Sequence, residues 1–465
     1  MLRTHTCGEL RKKDVGKKVT LSGWIDTIRL HGSVGFIDLR DRYGKIQIVL
    51  IKKNKDFSKL KELLVESCVQ IEGEVVARQK GTENKDLDTG DIEIFANKLN
   101  VFTKAEPIPF QLNEKEVSDD VRMKYKFLDL RTEKMQKNIA FRSEVAQAVR
   151  EFFIKNDFLE IETPMLVKPT PEGARDYVVP SRVNKGKFYA LPQSPQLYKQ
   201  ILMISGFDKY FQIARCLRDE DLRQDRQPEH TQIDFEMSFV ESKDVMDFVE
   251  ELMKHIFDKV LKIKLSKFKV LTYEESIKKY GTDKPDLRKD KKDPKEFAFC
   301  WIVDFPLFAK EDGKWAPEHH MFTAPKQEFI KDIEKDPGKV KGDLFDLVLN
   351  GVEMASGSIR INNPELQERV MKIVGFDKKD AEKKFGFLLD AYKYGGPVHG
   401  GMGIGFDRLV AVMLGFNDIR EVIVFPKNKS AQNPMDGSPS EIEDEQLKEL
   451  GVKIEKAKEK KVKKK

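Results

Sequence analysis

From Lys18 to about Phe102 the chain alternates apolar and polar residues in five short bursts, VTLSGWI, VGFIDLRD, KIQIVL, CVQIEGEVVARQ and DIEIFANKLNVF. A period of two marks strands with one face in a core, and the Gly or charged residues between the bursts supply turns. Five strands with a helical stretch near Phe57 to Glu66 in the middle match a small OB-type barrel. Ala105 to Leu112, AEPIPFQL, carries two prolines and reads as a linker.

A second pattern follows. Asn138 to Asn156 has Val145, Ala148, Val149 and Phe152 at helical spacing, and FLEIETP then alternates as a strand until Pro164. Phe211 to Leu217 and Ile233 to Phe239 read as two strands facing each other. The charged loop between them, RDEDLRQDRQPEHTQ, is far longer than the ~2–5 residues of an economical hairpin. A helix is expected near Val245 to Leu261, a basic irregular connector from Tyr273 to Phe297, and a buried strand in FCWIVDFPLF. Leu344 to Arg360 reads as a hairpin around Asn350-Gly351, the strongest short turn signal. Gly400 to Leu414 passes from a glycine-rich strand into a helix. The expected division is a barrel over 1–104, a linker over 105–130, a large α+β domain over 131–430, and an extension over 431–465 with a Lys-rich tail.

Composition narrows the function classes only modestly. The chain has 465 residues, 40% hydrophobic and 35% charged, with a net charge of +6, so any nucleic-acid surface has to be local. Cys7, Cys68, Cys216 and Cys300 form no paired motif, which argues against a zinc site or a disulfide framework and for a reducing, cytoplasmic setting. The start of the chain lacks a signal-peptide core, and no run approaches the ~20 apolar residues of a membrane span. In the barrel, Phe36 offers a stacking face, and Arg29, Arg40, Arg42 and Lys45 offer phosphate contacts.

Three ordered motifs carry a resemblance. FFIKNDFLEIETP, then Arg218-Asp219-Glu220, then Gly403-Ile-Gly405-Phe-Asp407-Arg408 resemble the motifs of class II aminoacyl-tRNA synthetases. The strings GARD, QSPQLYKQ, RDEDLRQDRQPEHTQ and GFDRL resemble the bacterial-type aspartyl enzymes of class IIb in particular. The resemblance implies an OB-fold anticodon-binding domain followed by an antiparallel catalytic sheet flanked by helices. It also implies a homodimer with Asn138 to Pro164 at the interface, and substrates L-aspartate, ATP with Mg2+, and tRNA(Asp).

It further implies roles residue by residue. Arg218 would hold the α-phosphate and Arg408 the far end of the triphosphate. Asp219, Glu220, Gln227, Gly405, Phe406 and Asp407 would complete the ATP site, with Glu353 as Mg2+ ligand. Lys199 and Arg360 would meet the aspartate side chain, Asp234 would orient the lysine, and Glu172 would meet the ammonium group. Ser194 and Gln196 would complete the floor, and His319, or its neighbour His320, would close over the substrate. A lysine–arginine pair suits an acid, whereas an amide would leave a buried cation unpaired.

Arg29, His31, Phe36, Gln47, Gly81 and Glu93 would read the anticodon. His31 and Gly81 match enzymes that also charge tRNA(Asn), where strict enzymes carry leucine and lysine. Two further departures are a missing insertion, of which only the connector around Arg288 to Lys295 remains, and Ala355-Ser356-Gly357 where three glycines are usual. The competing readings are an asparaginyl or lysyl paralogue, and a non-enzymatic tRNA-binding relative.

Overall fold

Alternating burial builds the first element. In the computed structural model, which describes residues 1–114, 116–170 and 173–455, the strands Lys18–His31, Val34–Asp41, Gly44–Ile51, Cys68–Ala77 and Ile92–Thr103 form a closed barrel. The strand order is first, second, third, fifth, fourth, and all neighbours are antiparallel except the third and fifth. Inward residues such as Leu21, Ile37, Ile48, Ile71 and Ile94 make its core, while their neighbours in sequence face out. The helical stretch expected over Phe57 to Glu66 shrinks to a 3-10 turn, Phe57–Lys61, which buries Phe57 and Leu60 on the core. The chain divides into two compact units, Met1–Arg122 and Met123–Lys465.

The larger unit is an eight-stranded sheet. Its order is Lys269–Thr272, Phe299–Val303, Leu344–Leu349, Val352–Ile359, His399–Gly405, Glu229–Ser238, Lys209–Leu217 and Leu159–Glu160. The inner pairs are antiparallel and only the outermost pair at each edge is parallel. The helices Glu133–Lys155, Ser242–Ile256 and Phe406–Met413 pack their apolar faces on the sheet in one continuous core. A second apolar cluster holds the helices Gln196–Ile204, Pro364–Ile373 and Lys378–Tyr392 together.

Local chemistry accounts for the turns that frame the site. Asn350 and Gly351 both have positive φ, at 54° and 83°, the backbone that a tight two-residue hairpin demands. The connector expected over Tyr273 to Phe297 begins instead with a helix, Tyr273–Tyr280. Thr272 and Glu275 close a reciprocal capping box at its start, and Gly281 ends it in the left-handed region. FLEIETP contributes only the two-residue edge strand Leu159–Glu160, both of whose residues are exposed.

Candidate active site

On the glycine-rich strand, Gly401 has no room for a side chain. A Cβ on Gly401 would lie 2.1 Å from the Phe235 carbonyl and 2.2 Å from Glu236 Oε2. Glu236, fully buried, accepts from Arg360 Nε at 2.8 Å and Nη2 at 3.1 Å. Arg360 also donates to Ser358 Oγ at 2.5 Å and to the Gly401 carbonyl at 3.1 Å. From the opposite side Lys199, on the helix Gln196–Ile204, places Nζ 2.8 Å from Asp234 Oδ2 and 3.3 Å from Glu236 Oε2. Two cations and two carboxylates thus interlock, all buried.

This corrects one expectation. Each cation arrives with its own carboxylate, so an amide substrate would not strand a charge, and the cation pair alone does not select an acid. Burial raises the carboxyl of Asp234, with Lys199 opposing it. Burial acts the same way on Glu236, but Arg360 and Lys199 outweigh it and hold that carboxyl low.

The structure separates the two histidines. His320 Nε2 lies 2.9 Å from Arg360 Nη1, and burial, then Arg360, push its imidazole well below the usual range, so the neutral ring accepts that hydrogen bond. His319, named for the substrate from sequence, points elsewhere. Its Nε2 is 3.2 Å from Asp346 Oδ2; burial works against its charged form, but Asp346 outweighs it and raises its pKa.

Polar groups left without partners mark the open volume. Among the described residues, the buried side-chain atoms that lack a hydrogen bond include Gln196 Nε2, Asp234 Oδ1, His319 Nδ1 and Asp346 Oδ1. Buried polar groups are otherwise paired, so the orphaned Asp234 Oδ1 beside Lys199 and Gln196 Nε2 on the helix of Lys199 indicate a ligand's place. Ser194 caps the Gln196 amide at 3.3 Å and lines a cavity of about 120 Å³ with Gln193 and Asp176. Glu172 lies outside the described residues.

Beside this pocket lies a looser set of charges. Arg218 follows the strand Lys209–Leu217, and its guanidinium makes one long hydrogen bond, 3.4 Å to the Gln193 carbonyl. Arg408, in the first turn of the helix Phe406–Met413, donates to the Glu353 carbonyl at 2.5 Å and lies 3.3 Å from Asp225. Burial, then Arg218, Arg408 and Arg215, push the imidazole of His230 down to about 3. Glu220 pairs with Arg226 at 3.2 Å, and Asp219 bridges to Arg175 through the backbone.

Three residues expected at the nucleotide are spent inside the protein. Gln227 is clamped at both ends to the backbone of Lys427, at 2.7 and 3.1 Å. Asp407 accepts from Arg142 at 2.5 Å and from the Thr231 amide at 2.7 Å, while Phe406 lies under the Arg142 guanidinium, 4.6 Å from its carbon. Asp407 and Phe406 tie the helix Phe406–Met413 to Arg142 of the long helix, and Gln227 ties the charged loop to the chain at Lys427. Gly405 caps the helix start.

Glu353 and Asp346 sit on the two strands of the Asn350-Gly351 hairpin, and both act on His319 and on Lys284. Burial disfavours the Glu353 carboxylate, but Lys284, His319 and Arg408 hold its pKa below the usual value. Among the described residues no cluster of three or more His, Cys, Asp or Glu could hold a metal alone. Two carboxylates, one with an orphaned oxygen, still fit Mg2+, which takes one or two protein carboxylates and completes its shell with water and phosphate. Asp346 and Glu236 were missed from sequence. The signal was there: Asp346 is the one acid in LFDLVL, and Glu236 follows Asp234 by two, on the same strand face.

On the barrel, Arg29 pairs across to Phe36, Phe36 to Val49, and Val49 to Phe95, which makes one row on the outer face. Asp38 and Gln47 pair in the next, and Gln47 donates to Glu93 at 2.7 Å. Arg29 grips Asp38 through two bonds of 2.8 and 3.0 Å and reaches Gln47 at 3.3 Å. His31 meets Phe36 edge-on, with ring centroids 6.1 Å apart. Phe95, 37% exposed, is an outward aromatic that sequence reasoning passed over. Arg40 and Lys45 are committed to Asp26 and Glu66 rather than free for phosphate. Gly81 sits in an open loop at φ +90°.

Comparison with known proteins agrees with this geometry. Residues 118–429 match the family of class II tRNA synthetases (D, K and N), and residues 19–102 match the OB-fold nucleic acid binding domain. An aspartate–tRNA(Asp/Asn) ligase of Treponema denticola is 45% identical over 98% of this chain and 99% of its own length. One of the same name from Caldanaerobacter subterraneus subsp. tengcongensis is 42% identical over 97% of this chain and 98% of its own. The alignment to the Treponema protein spans 588 positions, well over a hundred more than 465 residues can fill, so that relative carries a segment absent here.

Among solved structures, an asparaginyl-tRNA synthetase from Pyrococcus horikoshii complexed with asparaginyl-adenylate is similar with TM-score 0.75 and 25% identity, over 92% of this chain and 98% of that one. A putative aspartyl-tRNA synthetase from Leishmania major shares the fold with TM-score 0.74 and 21% identity, over 92% of this chain and 94% of that one.

Proposed function

The chain belongs to the class II tRNA synthetases of the D, K and N group, and from that premise we propose that it is an aspartate–tRNA ligase acting on both tRNA(Asp) and tRNA(Asn). An aspartate α-carboxylate oxygen attacks the α-phosphorus of ATP, pyrophosphate leaves, and a ribose hydroxyl at the tRNA end then displaces AMP from the aspartyl-adenylate. The substrates supply both nucleophiles, so the protein contributes orientation and charge.

The observation that carries the reading is the interlocked quartet of Lys199, Asp234, Glu236 and Arg360, with His320 neutral against it. What the pocket turns toward a side-chain oxygen is the donor face of Lys199 and Arg360, stiffened by their own carboxylates. Donors of this kind suit the oxygens of a carboxylate. The ligase names of the relatives at 42% and 45% identity point the same way. Gln196 Nε2 and Asp234 Oδ1 remain for the polar groups of the amino acid.

Arg218 and Arg408 take the triphosphate, Arg218 nearest the amino-acid pocket. Asp346 and Glu353 hold Mg2+, which when bound neutralises phosphate charge. Gln227, Phe406 and Asp407 act as positioning residues.

On the barrel, Phe36 stacks an anticodon base while Gln47 and Glu93, already oriented by their mutual bond, meet base edges. His31 beside Phe36, with Gly81 at a φ that strains a lysine, supports acceptance of both tRNAs. The domain limits are those of a barrel ending near 104 and a catalytic body from 131 to 430. A homodimer is supported by the exposed apolar residues Ile154, Leu159, Phe207 and Phe239. Among the described residues no helix is long and apolar enough to cross a membrane. With four free cysteines, that fits the cytoplasm.

ATP–pyrophosphate exchange tests the amino-acid assignment. Aspartate should drive it and asparagine should not; exchange with asparagine alone would overturn the reading.

A further inference from the structure

Lys284 stands where none of the roles above uses it. Its Nζ is 2.8 Å from Glu353 Oε2, and among the described residues neither group makes another ion pair. Lys284 belongs to the segment just after the helix Tyr273–Tyr280, at the start of the connector. Its backbone is pinned. The Lys284 amide donates to Thr282 Oγ1 at 3.1 Å, and the segment packs on the hairpin turn, where a Cβ on Gly351 would lie 3.3 Å from Asp286 Cβ and 3.8 Å from the Lys284 carbonyl. Its side chain is 42% exposed, so the ammonium can leave Glu353 for solvent without moving the backbone.

We propose that Lys284 is a built-in counter-cation for Glu353, holding the carboxylate that a divalent cation must take and so raising the metal concentration at which the site loads. The inference rests on the reading of Glu353 as a metal ligand. An ammonium and a divalent cation on one carboxylate repel each other, so each weakens the other's hold on it. Asp346, with its orphaned Oδ1, adds to the field that draws either cation in.

The test is Mn2+ binding to the nucleotide-free full-length protein, followed by electron paramagnetic resonance, with near-ultraviolet circular dichroism as the check on folding. Lys284→Met should tighten Mn2+ binding about threefold or more, the effect of removing one partly exposed ion pair. Lys284→Arg, which keeps the charge, should stay near wild type. Lys289→Met, an equal loss of charge at an exposed position on the same connector, should change affinity less than twofold. Unchanged or weaker Mn2+ binding in Lys284→Met overturns the proposal, and so does an equal gain in Lys289→Met. Glu353→Gln separates the two layers. If it abolishes Mn2+ binding while Lys284→Met changes nothing, the metal reading stands and the counter-cation fails; if it binds Mn2+ normally, both fall.

Discussion

The two halves of the active site are built on opposite plans. Around Lys199, Asp234, Glu236 and Arg360 every charge is buried and already paired, at 2.8 to 3.3 Å, before any substrate arrives. Around Arg218, Arg408 and Glu353 the charges are open, and their partners are provisional: Asp225 for Arg408 at 3.3 Å, Lys284 for Glu353. The first half is a fixed mould for a small, recurring shape. The second must admit a highly charged ligand and release pyrophosphate, so its cations are held loosely enough to exchange partners. Rigidity gives selection, and openness gives turnover.

Mutations should divide along the same line. Arg360→Ala leaves Glu236 buried without its main partner, a loss of about 3–5 kcal/mol by the usual cost of breaking such a pair. Both pyrophosphate exchange, by roughly a thousandfold or more, and melting temperature should fall. Arg218→Ala should cost exchange about a hundredfold or more while the melting temperature stays near wild type, since among the described residues its guanidinium gives up one 3.4 Å hydrogen bond. A matching loss of stability there would erase the distinction between the halves.

Asp225→Asn probes the provisional pairing, for it frees Arg408 from a half-exposed partner. Its effect on KM for ATP should be within about threefold and on stability below about 1 kcal/mol. The smallest effect is a proton equilibrium. Histidine NMR should show His319 titrating above its ordinary value of about 6.5 and His320 well below it. The signs then oppose each other. His319 contributes stability that is present below about 6.5 and lost as pH rises through its folded value. His320 contributes stability that is present above about 6.5 and lost as pH falls below it.

The legibility of these features in the sequence follows the same physics. Asn350-Gly351 announced its hairpin because only residues tolerant of positive φ make that turn. The five barrel strands were equally plain, since a half-buried strand must alternate. The helix Tyr273–Tyr280 was overlooked amid charged residues, although Thr272 and Glu275 spell its cap. Arg40 and Lys45 read as free cations because sequence does not say which carboxylates lie opposite; Asp26 and Glu66 do. The same blindness to partners hid Glu236, Asp346 and Lys284. It also made Lys199 and Arg360 look like unpaired cations awaiting an acid. Which of two adjacent histidines faces the pocket depends on the loop's backbone, and no spacing rule reports that.

The central claim, aspartate transfer to two tRNAs, is tested most directly by charging purified tRNA(Asp) and tRNA(Asn) with labelled aspartate and comparing kcat/KM. The account predicts aspartyl ester on both, with efficiencies within about tenfold, a gap of roughly 1.4 kcal/mol. A preference of several hundredfold for tRNA(Asp), or no aspartate on either, would contradict it.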